Sequence, residues 1–450
     1  MLVAGLSFPD ARQASRAAHR LGSLRAARAR VPLERALRSG DPRLRLAATS
    51  ALGQIGDRRS RVPLEACLQD SDRHVRAQAA FALSRLPDPR SLPRLIAVLG
   101  SDESALVRNS AAIALGRIRD PRAAPALEGA LDDESDRVRR EAVVALERSE
   151  DPDAARKVRR FLRDPARRVR IVAALVLGLR RDAEAVPELL EFAQRADAWE
   201  KPALMVALGR IGTPECGAVL ARFSEDEARW VRVCALHGLS EMQAPEASAV
   251  ARRSLDDPAW AVRGAASLAL GKVGTLADCR LLEKRLTDPS AWVRRAAIYA
   301  LGQLGASELV GAVRQALDDP DPEVQLAAIW ALGQLHDPQA LPRLIPRLAS
   351  APVRGVSAQL TIAEGDGGVR IVSDANERLF AALVQAVGAI ASATHDPTAR
   401  AALVAAYRRV PVAERGRPVK LPSPLGSGAD PRTLKSLFDG NLMPERTRGR

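Results

Sequence analysis

One phrase returns along this chain at a nearly constant step, and it limits the possible folds more than any other feature. It runs Asp, often Asp-Pro, then Val-Arg, small residues, then Ala-Leu-Gly. Three copies are Asp102 … Val107-Arg108 … Ala114-Leu115-Gly116, Asp257-Pro258 … Val262-Arg263 … Ala269-Leu270-Gly271 and Asp288-Pro289 … Val293-Arg294 … Ala300-Leu301-Gly302. With the Val as anchor, the series is Leu44, Val75, Val107, Val138, Val169, Glu200, Val231, Val262, Val293 and Val324. Every step is 31 residues except one of 32. One step earlier, Leu21-Gly22 matches Leu52-Gly53, so residues 9–22 read as a half-repeat capping the N-terminus.

Each unit reads as two helices. The first is short and carries Pro near its start, as at Pro125. Pro is tolerated there because the first helical turn has no internal partner for its N–H. The Asp-Pro turn begins the second helix, whose apolar positions fall at Val107, Ala111, Ala114, Leu115 and Ile118, a helical period. The Gly either closes that helix or lets the next one pack close. No unit of this size buries both faces alone, so neighbours must stack into one elongated core.

Composition agrees with a helical stack. Apolar residues make up 47% of the 450 residues and aromatics only 3%, so the core is Ala, Leu, Val and Ile rather than the aromatic-rich filling of a sheet sandwich. Cys67, Cys216, Cys234 and Cys279 show no CxxC spacing; they read as reduced thiols in a cytoplasmic protein, without a metal or cofactor. No apolar run approaches the ~18 residues of a membrane span. The net charge is +14, nearly all from Arg. That balance admits acidic protein, nucleic acid or an anionic surface as partner.

The repeated phrase resembles HEAT repeats of the kind named after phycobilisome lyases, over residues 9 to about 350 and again over roughly 374–410. The resemblance implies an all-α, right-handed α-solenoid of about eleven two-helix repeats. The expected organisation is a solenoid over 1–350, an inserted β-hairpin over 351–373, terminal repeat helices over 374–410 and a disordered basic tail over 411–450. The hairpin is expected because the step from Val324 to Leu379 is 55 residues. Within the excess, Val356, Ala358, Leu360 and Ile362 alternate, Glu364 to Gly368 form a Gly-rich turn, and Val369, Ile371 and Val372 resume. In the tail, Thr433 to Phe438 reads as one or two apolar helical turns.

An acidic and a basic residue recur six apart in Asp102/Arg108, Asp133/Arg139, Asp257/Arg263 and Asp288/Arg294. In proteins of this kind such a ladder is structural, with bidentate pairing between neighbouring units. The sixth unit departs, with Glu200-Lys201 in place of Val-Arg, and is expected to be a looser joint. In the tenth, Gln325 replaces Arg.

Two further rows lie on the second helices. Ten residues after the anchors stand Gln54, Arg85, Arg117, Arg148, Leu179, Arg210, Glu241, Lys272, Gln303 and Gln334. Four residues earlier, on the same face, stand Ser50, Phe81, Ile113, Val144, Leu175, Val206, His237, Leu268, Tyr299 and Trp330. The resemblance places second helices on the concave side. Arg85, Arg117, Arg148, Arg210, Lys272, His237, Tyr299 and Trp330 are therefore the candidate partner-binding residues. The competing reading is that the apolar row packs against the adjacent repeat. Trp199, Trp230, Trp260 and Trp292 lie near second-helix starts, as a ligand edge or as staples across the turn.

Catalytic signatures are missing from the sequence. No GxSxG, P-loop or HExxH motif occurs. Deoxyhypusine hydroxylases resemble the fold and hold iron on His-Glu pairs, but His19, His74, His237, His336 and His395 are followed by Arg, Val, Gly, Asp and Asp. His336-Asp337 and His395-Asp396 read as capping residues. The expected function is a non-catalytic scaffold or adaptor that binds an acidic or amphipathic protein partner. The alternatives are a nonspecific nucleic-acid binder using the same Arg residues and a phycobilin-lyase-like enzyme or chaperone.

Overall fold

The computed structural model describes residues 10–149, 151–351, 357–360, 369–372 and 375–409. Among them are 24 α-helices. In chain order they begin α1 (Ala11–Ser23), α2 (Arg30–Ala36), α3 (Pro42–Ile55), α4 (Arg61–Ala66), α5 (Arg73–Ser84), α6 (Leu92–Ser101), α7 (Ala105–Ile118) and α8 (Ala124–Ala130). Next come α9 (Asp136–Arg148), α10 (Ala154–Val158), α11 (Arg167–Arg180), α12 (Val186–Arg195), α13 (Lys201–Ile211), α14 (Pro214–Phe223), α15 (Arg229–Glu241) and α16 (Ala247–Ser254). The last eight are α17 (Trp260–Val273), α18 (Cys279–Glu283), α19 (Ala291–Leu304), α20 (Val310–Gln315), α21 (Pro322–Gln334), α22 (Leu341–Ser350), α23 (Ala375–Thr394) and α24 (Pro397–Arg409). The odd-numbered helices carry the Val anchors or their equivalents, and the even-numbered ones are their companions.

Two compact units divide the chain, Met1–Leu220 and Ala221–Arg450. In the first, the anchor helices pack each on the next, from α1 on α3 through to α11 on α13. In the second, α15, α17, α19, α21 and α23 do the same. The expected N-terminal half-repeat is α1, seated on α3.

Local chemistry sets the helix boundaries. Asp41 caps α3 by accepting the Arg43 N–H at 2.7 Å, with Pro42 in the first turn. Asp72 and Asp321 cap α5 and α21 in the same way. The helix α7 buries Val107, Ala111, Ala114, Leu115 and Gly116. Full burial of a Val or Leu side chain contributes about 1.5–3 kcal/mol.

The Gly of Ala-Leu-Gly serves close packing. A Cβ on Gly116 would lie 2.8 Å from the Ala145 Cβ and 2.9 Å from its Cα. One on Gly53 would lie 2.8 Å from the Ala82 Cβ. Termination falls three residues later, in the left-handed region, on Gly56 (φ 76°), Gly212 and Gly305, but also on Arg119, Arg181 and His336, and on Gln243 where Ser240 replaces the Gly. His336 and His395 both adopt positive φ. Asp337 then accepts the Gln339 N–H, and Asp396 the Ala399 N–H. Both His-Asp pairs act as caps.

Between α22 and α23, Ser357–Leu360 and Val369–Val372 pair as antiparallel strands, β1 and β2, with Ser357 opposite Val372. The expected turn at 364–368 lies outside the described residues, and the hairpin as a whole is not an established part of the fold. The expected tail over 411–450, with its apolar turn at Thr433 to Phe438, also lies outside them.

Candidate interaction face

The Asp/Arg pattern becomes a ladder whose rungs join successive repeats. Arg108 Nε and Nη2 donate to Asp133 Oδ2 and Oδ1 at 2.7 and 2.9 Å, while its Nη1 donates to the main-chain oxygens of Asp102 and Glu103. The six-residue spacing therefore reports a bond to the main-chain carbonyl of Asp102. The Asp102 carboxylate belongs to Arg76, at 2.8 and 3.1 Å. Arg45–Asp70 and Arg139–Asp164 repeat the rung in the first unit. Arg232–Asp257, Arg263–Asp288 and Arg294–Asp319 repeat it in the second.

At the sixth repeat the rung changes its acceptor. Arg170 meets Glu200 at 2.6 Å, and Glu200 is only 3% exposed. The longer Glu side chain takes the place of the missing Asp. At Gln325 only the bond to the Asp319 carbonyl survives, at 2.7 Å.

Burial alone pushes the Asp70 and Asp133 carboxyls up. Hydrogen bonds from Arg45 and Arg108, the N–H groups of Asp72 and Ser135 and the nearby guanidinium charges outweigh it, so both end below the usual carboxylate range. Hydrogen bonding from Arg294 leads in lowering Asp319.

A second ladder, absent from the sequence reading, joins companion helices to the turns after the anchor helices. Its rungs are Arg159–Asp182 at 2.6 Å, Arg252–Asp278 at 2.5 Å and Arg314–Asp337 at 2.9 Å, with looser contacts of 3.6 Å at Arg30–Asp57 and Arg61–Asp88. The recurring Asp at residues 57, 88, 120, 151, 182 and 337 was the available signal.

With the ladder arginines engaged, the exposed row of anchor-helix side chains stands out. In the first unit Phe81, Ile113, Val144, Leu175 and Val206 are all half-buried. Four residues further along each helix, Arg85, Arg117 and Arg148 are exposed, Leu179 is 47% exposed and Arg210 is half-buried. The guanidinium groups of Arg85, Arg117 and Arg148 have no ion pair among the described residues. Glu141 stands beside them on α9, with Arg140 4.0 Å away. Burial pushes the Glu141 carboxyl up, against the pull of Arg140, Arg148 and Arg117.

The second unit carries a different version of the row. Tyr299 and Trp330 stack, with ring centroids 4.3 Å apart and planes 21° apart. Trp330 leans onto Gly302, where a Cβ would meet its ring at 2.7 Å. Glu241, Lys272, Gln303, Gln334 and Trp330 line an open groove of about 530 Å³. Lys272 is ion-paired with Glu241, and His237 lies 3.9 Å from the same carboxylate. The charge of Lys272 is taken up within its own row, so the basic strip of the first unit has no counterpart here.

The tryptophans do not share one environment. Trp199 and Trp260 are 49% and 46% exposed. Trp292 lies over Gly264, with Arg295 4.4 Å above its ring. Arg229 stacks on Trp230 at 4.7 Å.

Comparison with known proteins places this architecture. A model of HEAT repeats matches residues 1–83, 61–147, 130–209, 155–233, 186–271, 218–298 and 279–363. The chain belongs to the HEAT-repeat family. Among solved structures, it is similar to the complex of CpcE and CpcF of phycocyanin lyase from a Nostoc species, with 25% identity over 55% of this chain and 90% of that one and a TM-score of 0.33. It is also similar to importin-β, with 16% identity, 86% and 62% coverage and a TM-score of 0.56. For yeast importin-β the values are 12%, 90% and 63%, and 0.57. The match spans less than two thirds of either importin chain. The likeness to importin-β shows a common fold, an all-α HEAT solenoid. Comparison with curated proteins returned no match. Among the described residues no helix is long and apolar enough to cross a membrane.

Proposed function

We propose that this HEAT-repeat chain is a non-catalytic scaffold or adaptor, working in the cytoplasm, that holds an acidic protein partner on the exposed face of its first-unit anchor helices. One observation carries the reading. Arg85, Arg117 and Arg148 are exposed and unpaired among the described residues, and each stands one turn from a half-buried Phe81, Ile113 or Val144. The apolar side chains supply area to bury, about 25 cal/mol per Å². The guanidinium groups supply steering and selectivity for acid. A stacked-repeat fold lends itself to this use because it presents like positions of many helices side by side.

Tracking of a nucleic-acid backbone draws less support. Many arginines are committed to the two ladders, and the free strip is interrupted at Leu179. Four cysteines in 450 residues make no disulfide scaffold, which supports a reducing compartment.

The test is recovery of partners on the immobilised protein, with and without nuclease, at low and moderate salt. A protein retained under both conditions and lost from the Arg117→Glu, Arg148→Glu double variant is the expected result. Recovery abolished by nuclease would overturn the scaffold reading in favour of nucleic acid.

A further inference from the structure

The ridge of the first unit constrains the form of its occupant as well as its charge, given the reading above that it is a protein-binding face. We infer that the partner segment is an α-helix bearing an apolar and an acidic residue that each recur every seventh position. The reasoning starts from spacing. Phe81, Ile113 and Val144 hold equivalent positions on α5, α7 and α9, and Arg85, Arg117 and Arg148 follow one turn later on the same face. These anchor helices approach closely, as the 2.8 Å clash of a Cβ on Gly116 with Ala145 shows. Packed helices lie about 8–10 Å apart, so both rows repeat at that interval.

Two turns of an α-helix advance about 10.5 Å and return a side chain to nearly the same face. The remaining difference is within the reach of a long Arg against a Glu. A β-strand fails this test. Its side chains return to one face every second residue, about 6.6 Å, or every fourth, about 13 Å. A polyproline-type segment returns every third residue, about 9.3 Å, and meets the spacing. The chemistry of the floor separates it from the helix. Polyproline-type segments dock in aromatic-lined grooves, and this floor is aliphatic at Ile113, Val144 and Leu175, with Phe81 its one aromatic side chain. An α-helix satisfies its own backbone and lays an apolar stripe on that floor without stranding a donor. Charge complementarity then sets its flank, with carboxylates along Arg85, Arg117 and Arg148 and the partial offset of Glu141 near Arg117 and Arg148.

Three synthetic peptides of about three heptads test the inference on the whole protein, by fluorescence anisotropy. The first repeats Leu and Glu every seventh residue in a helix-forming background. The second has the same composition and helicity with the Leu and Glu spacing scrambled. The third replaces interior background residues of the first with prolines. The expected result is binding of the first at least about tenfold tighter than the others, and its loss in the Arg117→Glu, Arg148→Glu variant and in Val144→Asp. Equal or tighter binding of the proline peptide, still sensitive to those variants, would overturn the helical form while leaving the ridge as a binding face. Binding of the heptad peptide that is weak, or unchanged by the variants, would overturn the ridge assignment itself. Thermal unfolding of both variants within a few degrees of the parent confirms that they are folded.

Discussion

Gly53 and Gly56 stand three residues apart in the α3 region and answer different demands. The first lies where α5 comes too close for a Cβ, and the second supplies a left-handed φ of 76° in open space. Substitution by Ala at Gly116, the equivalent of Gly53, should cost about 1–3 kcal/mol through overpacking. At Gly56 the cost should be about 1 kcal/mol through backbone strain alone. At Arg119, where a non-glycine residue already holds φ 57°, Arg119→Gly should gain about 0.5–1 kcal/mol. Urea unfolding of the three variants checks all three signs, and a loss at Arg119→Gly would contradict this account of the caps. These positions also show what the phrase conceals. Its Gly left two roles open, and only the approach of the next helix separates them.

Among elements, the ladders join neighbours that the sequence separates by 23 to 30 residues. Arg108 is 11% and Asp133 9% exposed at the side chain. Arg108→Ala leaves a mostly buried carboxylate and two carbonyls without their donor, and should destabilise by about 2–3 kcal/mol, below the full cost of breaking a buried pair because solvent reaches one edge. Acid acts on the same groups. The folded chain holds Asp70, Asp133, Asp288 and Asp319 below their usual range, whereas the unfolded chain protonates them near pH 4. Their stabilisation is therefore complete above about pH 4 and is lost as pH falls through the folded values. The thermal midpoint should drop steeply below about pH 4, and a midpoint unchanged down to pH 2 would refute the assignment. At the sixth repeat, Glu200→Ala should speed hydrogen exchange across α13 relative to α11, and equal rates would show that the Arg170–Glu200 rung holds nothing. The first ladder was legible because one Asp and one Arg keep a constant offset. The second was not: its arginines come from two places one helical turn apart, Arg30 and Arg61 against Arg159 and Arg314, so no single spacing reveals it.

At the scale of the whole molecule, a period of 31 residues is enough to place the anchor helices as far as α21, because helices of one length and polarity pattern can stack in few ways. The exposure of the candidate face was legible: the residues expected on it are half-buried or exposed. Its chemistry was less so. Lys272 is a candidate by position alone, yet Glu241 holds the same position one repeat earlier, which makes them neighbours of opposite charge. The central claim is that the first-unit ridge, rather than the net charge of +14, selects the partner. The measurement that bears on it most directly compares partner recovery by two double variants with the same change in net charge, under nuclease. Arg117→Glu with Arg148→Glu alters the ridge, while Arg35→Glu with Arg38→Glu alters exposed positions on and just after the companion helix α2. The account predicts that the first pair abolishes recovery and the second leaves it intact; equal loss from both would show that bulk charge, and not this face, does the binding.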